Sequence, residues 1–227
     1  MTAFFSVIEK HPLIAILRGI KPTEVVDVAE ILIEKDFKII EIPLNSPDPI
    51  RSIELLTHYF ENHAIIGAGT VLDGASIRSI AEAGAKLVVM PNGNGIVVKA
   101  AKDRGLIAIP GIATPSEAFA MIEAGADALK LFPAEGIPPS VLKAMKAVLP
   151  STVPILPVGG ITPEKMNDYL KAGAIGFGLG SALYKPGMTL RDIRKNAEAF
   201  NQALTFSEPV MIDHRVYDQS PYHCISQ

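Results

Sequence analysis

The chain has no tryptophan, only one cysteine and no surplus of positive charge. Its single cysteine, Cys224, rules out a disulfide within the chain and fits a reducing compartment. A net charge of −3 gives no electrostatic footprint for nucleic acid. No apolar run approaches the roughly 18 residues that a membrane-spanning helix needs, and residues 1–10 lack the basic start of a secretion signal. We predict a cytoplasmic protein that binds neither nucleic acid nor membranes.

Eight short apolar runs alternate with stretches of helical periodicity along the 227 residues. The predicted strands cover residues 13–18, 39–44, 64–70, 87–91, 107–111, 128–133, 155–160 and 175–180. Each is apolar on both faces, which is typical of parallel strands packed between a core and helices. Eight consecutive strand–helix units fit a closed (β/α)8 TIM barrel better than an open sheet. We expect a helix over about Ala3–Lys10 to cover the bottom of this barrel.

The helix boundaries repeat as well. Thr114 and Thr162 each precede a proline and an acidic residue, which is the pattern of a capped helix start. Gly84, Gly125 and Gly173 each stand just before a predicted strand, where a left-handed helix end favours glycine. The pattern stops after residue 204. We therefore predict a barrel domain over residues 1–204 and a non-barrel tail over residues 205–227, which is either flexible or packed on its own barrel or on a neighbouring subunit.

Lys130 is the one charged residue in the apolar run 128–133. An ammonium group in a buried strand is costly unless it is paired or its pKa is lowered. The neutral amine that results can attack a ketone and form a Schiff base. Alternatively, the side chain extends to solvent from the end of the strand. Taken alone, this position leaves both interpretations open.

Glu41 lies in an equally apolar run on the second predicted strand. Buried groups of opposite charge inside one barrel invite pairing. One interpretation is a structural salt bridge between Glu41 and Lys130, although desolvation can cost more than the attraction returns. The other is a proton-transfer pair, in which apolar surroundings raise the pKa of the Glu41 carboxyl toward neutrality.

Polar residues and glycines stand at the carboxyl ends of the strands, where barrels of this kind carry their active sites. Arg18 offers a planar fork for a carboxylate or phosphate, or is simply a solvated charge. Thr70 is a candidate hydrogen-bond partner for a substrate oxygen, and Phe132 is a candidate apolar wall. Glycines follow the last two strands, at positions 159–160 and 178–180. They let backbone N–H groups approach an anion, which favours a phosphate site over simple turn geometry.

Four segments resemble the class I 2-keto-3-deoxy-6-phosphogluconate and -galactonate aldolases. They read EIPLNSP at residues 41–47, GAGTVL at 67–72, KLFPAE at 130–135 and VGGI at 158–161. The resemblance runs from about residue 13 to residue 204. It implies a lyase that acts on a phosphorylated keto-sugar acid and pyruvate. It also implies a homotrimer with neither metal nor cofactor, since a covalent lysine imine supplies the electrophile.

Within this resemblance, Lys130 is the Schiff-base lysine and Glu41 is the general acid/base. The pyruvate pocket would contain Thr70, Phe132 and, nearby, Pro91, and the phosphate site would contain Gly159, Gly160, Gly180 and Ser181. Asn45 stands where the gluconate enzymes usually have an arginine, and Val158 where they have a threonine. Both match the galactonate type. We expect Arg18 to replace the missing arginine beside the substrate carboxylate.

The predicted reaction is cleavage of 2-dehydro-3-deoxy-6-phosphogalactonate (KDPGal) to pyruvate and D-glyceraldehyde 3-phosphate. The gluconate epimer and 4-hydroxy-2-oxoglutarate are the alternative substrates. On grounds of fold alone, a phosphate-binding barrel epimerase is a further alternative. A non-catalytic barrel that binds a phosphorylated metabolite is another, although two costly buried charges argue against it.

Overall fold

The computed structural model of the protein describes residues 3–205. Strands and helices alternate through this range. The strands are β1 Leu13–Ile16, β2 Ile39–Pro43, β3 Ile65–Gly69, β4 Leu87–Val89, β5 Ile107–Ile109, β6 Gly111–Ile112, β7 Leu129–Leu131, β8 Ile155–Pro157 and β9 Phe177–Leu179. The α-helices are α1 Ala3–Lys10, α2 Val25–Glu34, α3 Pro49–Phe60, α4 Ser76–Glu82, α5 Gly95–Lys102, α6 Pro115–Glu123, α7 Pro139–Lys146, α8 Pro163–Lys171 and α9 Leu190–Thr205. A turn of 3₁₀ helix, Ala134–Gly136, follows β7.

The strands close into a ring of parallel neighbours. Six pair in the order β5-β4-β3-β2-β1-β9 and three in the order β6-β7-β8. Only Pro110 separates β5 from β6, and a proline has no N–H to donate to a sheet. Its carbonyl still accepts a hydrogen bond from the Lys130 N–H at 2.9 Å. A parallel bridge between Val158 and Gly178 joins β8 to β9. The predicted (β/α)8 barrel is confirmed, with its fifth strand divided rather than continuous over residues 107–111.

Helix α1 covers the bottom of the barrel, as predicted. Phe4 and Ile8 are buried and pack in one cluster with Ile14, Ile39 and Leu87 from the strands. A second, larger cluster fills the layer between the strands and the surrounding helices. The lower half of the barrel interior is therefore apolar and closed.

The predicted helix boundaries are largely confirmed. Thr114 caps α6 in a reciprocal capping box. Thr162 is the N-cap of α8 but makes no side-chain capping hydrogen bond. Gly84, Gly125 and Gly173 all have positive φ, between 86° and 98°, which is the left-handed conformation expected at these helix ends.

The last described helix, α9, ends at Thr205, one residue beyond the predicted boundary of the barrel domain. The rest of the predicted tail, with Cys224, lies outside the described residues, so the tail stays a prediction. Within residues 3–205, no helix combines the length and the apolar composition needed to cross a membrane.

Candidate active site

Lys130 and Glu41 lie inside the barrel on strands at opposite positions in the ring. Side chains alternate along a strand, so residues two positions apart face the same side. Glu41 follows Ile39 by two residues and Lys130 follows Ala128 by two, and both of these apolar residues pack in the barrel interior. The exposed fraction is 1% for Glu41 and 4% for Lys130. The alternative in which Lys130 extends to solvent is therefore wrong.

Burial dominates the electrostatics of both groups. It lowers the pKa of the Lys130 amine, against the opposing charge of Glu41 and together with the like charge of Arg18. It raises the pKa of the Glu41 carboxyl, although Lys130 and Arg18 oppose this shift. Both shifts favour neutral forms, as a nucleophilic amine and a proton-carrying carboxyl require.

The Glu41 carboxyl is not held in a structural salt bridge. None of the ion pairs among residues 3–205 joins it to Lys130. Its Oε2 atom is buried and has no hydrogen-bond partner. A buried carboxyl oxygen without a partner is costly and uncommon. This cost makes the carboxyl a candidate for proton exchange with a bound molecule.

The space for this carboxyl comes from a glycine on the neighbouring strand. A Cβ atom on Gly69 would overlap Glu41 Oε2. The φ of Gly69 is not in the left-handed region, so the backbone does not require glycine here and the missing side chain is what matters. Sequence reasoning did not single out Gly69. The sequence does contain a signal for it, because a glycine within a strand often marks a position that another group approaches closely.

Arg18, Asn45 and Thr70 form one hydrogen-bonded group at the strand ends. Arg18 Nη1 donates to Asn45 Oδ1 at 2.6 Å and to Thr70 Oγ1 at 3.3 Å. The φ of Thr70 is 54°, a strained conformation for a β-branched residue that is often found at functional sites. The other N–H groups of the guanidinium remain available for an anion. Three residues predicted separately are thus brought together.

A cavity of about 710 Å³ opens above Lys130. The predicted site residues that line it are Arg18, Lys130, Phe132, Val158, Gly159, Gly160, Gly180 and Ser181. The Phe132 ring centroid lies 4.8 Å from Lys130 Nζ, so Phe132 forms the predicted wall. The cavity lining does not include four of the predicted site residues: Glu41, Asn45, Thr70 and Pro91. The Pro91 carbonyl packs against Gly111.

Three polar or charged residues of the cavity were not singled out from the sequence: Glu135, Tyr184 and Lys185. Tyr184 donates a hydrogen bond to Glu24 Oε1 at 3.2 Å, and burial and the Glu24 charge raise the pKa of its hydroxyl. Lys185 lies close in sequence to the predicted phosphate loop at Gly180, so its charge was a usable signal. The described residues contain no cluster of three or more His, Cys, Asp or Glu side chains suited to a metal ion.

Comparisons with known sequences agree with this geometry. Residues 5–197 match the family model described as KDPG and KHG aldolase. The chain is 48% identical to a probable 2-dehydro-3-deoxy-6-phosphogalactonate aldolase of Rhizobium meliloti, over 84% of this chain and 90% of that protein. It is 44% identical to the 2-dehydro-3-deoxy-6-phosphogalactonate aldolase of Escherichia coli, over 86% of this chain and 95% of that protein.

Solved structures agree as well. A structure described as native KDPGal is 43% identical, has a TM-score of 0.84 and covers 86% of this chain and 94% of its own. The KDPG aldolase of Legionella pneumophila, solved with pyruvate captured as a covalent carbinolamine, is 26% identical with a TM-score of 0.76, over 91% of this chain and 99% of its own. From its sequence, its barrel and its buried lysine and glutamate, the chain belongs to the KDPG and KHG aldolase family.

Proposed function

We propose that this protein is a class I aldolase that cleaves KDPGal to pyruvate and D-glyceraldehyde 3-phosphate. The observation that carries the proposal is Lys130, a buried lysine of lowered pKa at the base of a large open cavity. The two relatives above 40% identity, whose names specify the galactonate substrate, support it.

The reaction begins with attack of the neutral Lys130 amine on the C2 ketone, which gives a carbinolamine. Glu41 moves the protons that turn the carbinolamine into an imine with loss of water. The protonated imine then accepts the electron pair of the C3–C4 bond as this bond breaks. Glu41, directly or through a water, takes the C4 hydroxyl proton, and glyceraldehyde 3-phosphate leaves. Protonation of the enamine and hydrolysis of the imine release pyruvate. The imine is the electron sink, so the reaction needs no cofactor.

The two ends of the substrate require different partners. Arg18, oriented by Asn45 and Thr70, faces the carboxylate next to C2 as a fixed cation. The phosphate binds at the other side of the cavity, against Gly159, Gly160, Gly180 and Ser181 and near the Lys185 charge. Gly180 leaves open space on that side, because a Cβ on this residue would meet no atom within 4 Å.

The test is trapping of pyruvate with borohydride, followed by mapping of the adduct by mass spectrometry. We expect the adduct on Lys130 and its loss in Lys130→Met. Lys146 is a matched control, since burial also lowers its pKa although it lies outside the cavity, on α7. Lys146→Met should trap pyruvate as the wild type does. No adduct, or an adduct on another lysine, contradicts the mechanism and leaves the epimerase and non-catalytic alternatives.

The choice of sugar depends on fewer residues than the choice of reaction. Asn45 accepts a hydrogen bond from Arg18, whereas an arginine at this position would repel it. Val158 places an apolar, 7% exposed side chain in the cavity wall. Through the family resemblance, both residues support the galactonate epimer. Comparison of kcat/KM for the two C4 epimers tests this choice, and a preference for the gluconate epimer would overturn it.

We also infer a homotrimer, as the family resemblance implies. The exposed apolar side chains include Leu72 after β3, Ile96 at the start of α5 and Phe119 on the adjacent α6, with exposed fractions of 57%, 77% and 41%. Light scattering should give the mass of three chains. Ile96→Asp should yield smaller species, whereas Val148→Asp, at a site 60% exposed after α7, should not. A monomeric wild type would contradict this inference, and a cytoplasmic location stays a prediction of the sequence.

A further inference from the structure

Glu135 is a carboxylate that lines the cavity and that the mechanism above does not use. It lies in the 3₁₀ turn that follows β7 and lines the same cavity as Lys130. In the described part of the chain, its carboxylate takes part in no hydrogen bond and no ion pair. The cavity must accept a substrate that carries both a carboxylate and a phosphate, so an acidic side chain in it calls for an explanation.

The backbone around Glu135 is held in place. Tyr169, on α8, donates its hydroxyl to the carbonyl oxygens of Ala134 at 2.9 Å and Ile137 at 3.0 Å, on either side of Glu135. The Ala134 N–H donates to the Val158 carbonyl at 2.9 Å. The backbone of the turn is thus fixed to α8 and to the residue that follows β8, and it carries an exposed Glu135 side chain at the edge of the cavity.

This side chain lies directly against the glycine loop after β8. A Cβ on Gly159 would meet Glu135 Oε2, and a Cβ on Gly160 would meet Glu135 Cγ. The space that these glycines leave open is therefore filled by a carboxylate. Gly180, in contrast, faces open space.

A carboxylate accepts hydrogen bonds and donates none, so its natural partner in a sugar acid is a hydroxyl group. Between the imine at C2 and the phosphate at C6, KDPGal carries hydroxyls at C4 and C5. The C4 hydroxyl gives its proton to Glu41 during cleavage, which leaves the C5 hydroxyl. Resting on the proposed function, we propose that Glu135 is a specificity-determining residue that accepts a hydrogen bond from the C5 hydroxyl of the substrate.

The test uses the reaction in the direction of synthesis, because the C5 hydroxyl of the product is the C2 hydroxyl of the acceptor aldehyde. Pyruvate is combined with D-glyceraldehyde 3-phosphate or with 3-oxopropyl phosphate, which lacks this hydroxyl. We expect Glu135→Ala to lower kcat/KM about 10- to 100-fold for the hydroxylated acceptor, the usual effect of losing a hydrogen bond to a charged group. The deoxy acceptor should react as with the wild type. Glu135→Gln retains an acceptor oxygen and should lose less.

Glu164→Ala, at an exposed acidic residue in the first turn of α8, is the matched control and should leave both acceptors unchanged. Pyruvate trapping at the wild-type rate shows that each variant is folded, and Glu135→Gln serves if the alanine variant is not. An equal change for both acceptors, in either direction, or no change for either, overturns the proposal. Failure of the wild type to trap pyruvate would instead contradict the proposed function itself.

Discussion

Gly69→Ala should displace the Glu41 carboxyl although residue 41 itself is unchanged. The added methyl group would overlap Glu41 Oε2, so the carboxyl has to rotate or shift. The backbone itself accepts alanine, since the φ of Gly69 is not left-handed. Loss of a positioned general acid/base lowers rates about 100- to 10,000-fold, and we expect kcat to fall within this range. Overpacking of a filled interior costs about 1–3 kcal/mol, which corresponds to a fall of about 2–12 °C in Tm for a chain of this length.

The assay couples pyruvate release to lactate dehydrogenase and measures Tm in parallel. Gly74→Ala is the control, since its Cβ would meet only the Ala100 Cβ at 3.6 Å, an ordinary contact. In a Glu41→Ala background, Gly69→Ala should cause no further loss, because the group it displaces is already gone. Turnover at the wild-type rate in Gly69→Ala, or an equal further loss in the Glu41→Ala background, would refute the reasoning.

Three further predictions concern the same site. The rate of pyruvate adduct formation should rise with pH as Lys130 loses its proton, with a midpoint below the ordinary lysine pKa of 10.5. The Glu41 charge opposes the lowering of the Lys130 pKa, so Glu41→Gln should move this midpoint to lower pH. A move to higher pH would contradict the assignment. Asn45→Ala removes the 2.6 Å partner of Arg18 and should raise KM about 2- to 10-fold with little change in kcat, as steady-state kinetics will show. Tyr169→Phe removes the donor of the Ile137 carbonyl and one of the two donors of the Ala134 carbonyl, which also accepts from the Ile137 N–H. It should lower the free energy of unfolding in urea by about 1–3 kcal/mol, whereas no change would mean that the turn does not depend on this hydroxyl.

The barrel was predictable because each of its strands is a short apolar run with its own helix signals. The division of the fifth strand was not foreseen, although Pro110 is visible in the sequence, since the effect of a proline depends on which neighbour its missing N–H would have served. Lys130 and Glu41 were predictable because charge is conspicuous in a buried strand. The position of Glu135 was not, because the backbone of its turn is held by Tyr169, 34 residues further along the chain.

The relation between Gly69 and Glu41 shows the same limit. A glycine in a strand indicates that something approaches closely, but not what approaches. Pairing of Glu41 with Gly67 in the register of β2 and β3 places the carboxyl beside Gly69, two residues further along. That neighbour is identified by tertiary register, which no local pattern of residues contains.

Helix α1, beneath the barrel, affects how substrate and water enter and leave the site. Among the described residues, Phe4 and Ile8 close the lower end of the barrel, and the cavity opens at the other end, above Lys130. Water that is lost when the imine forms leaves through the same opening above Lys130 that the sugar acid occupies. A bound substrate therefore blocks the opening of the cavity. This favours retention of the expelled water beside Glu41, where hydrolysis of the pyruvate imine later consumes a water molecule.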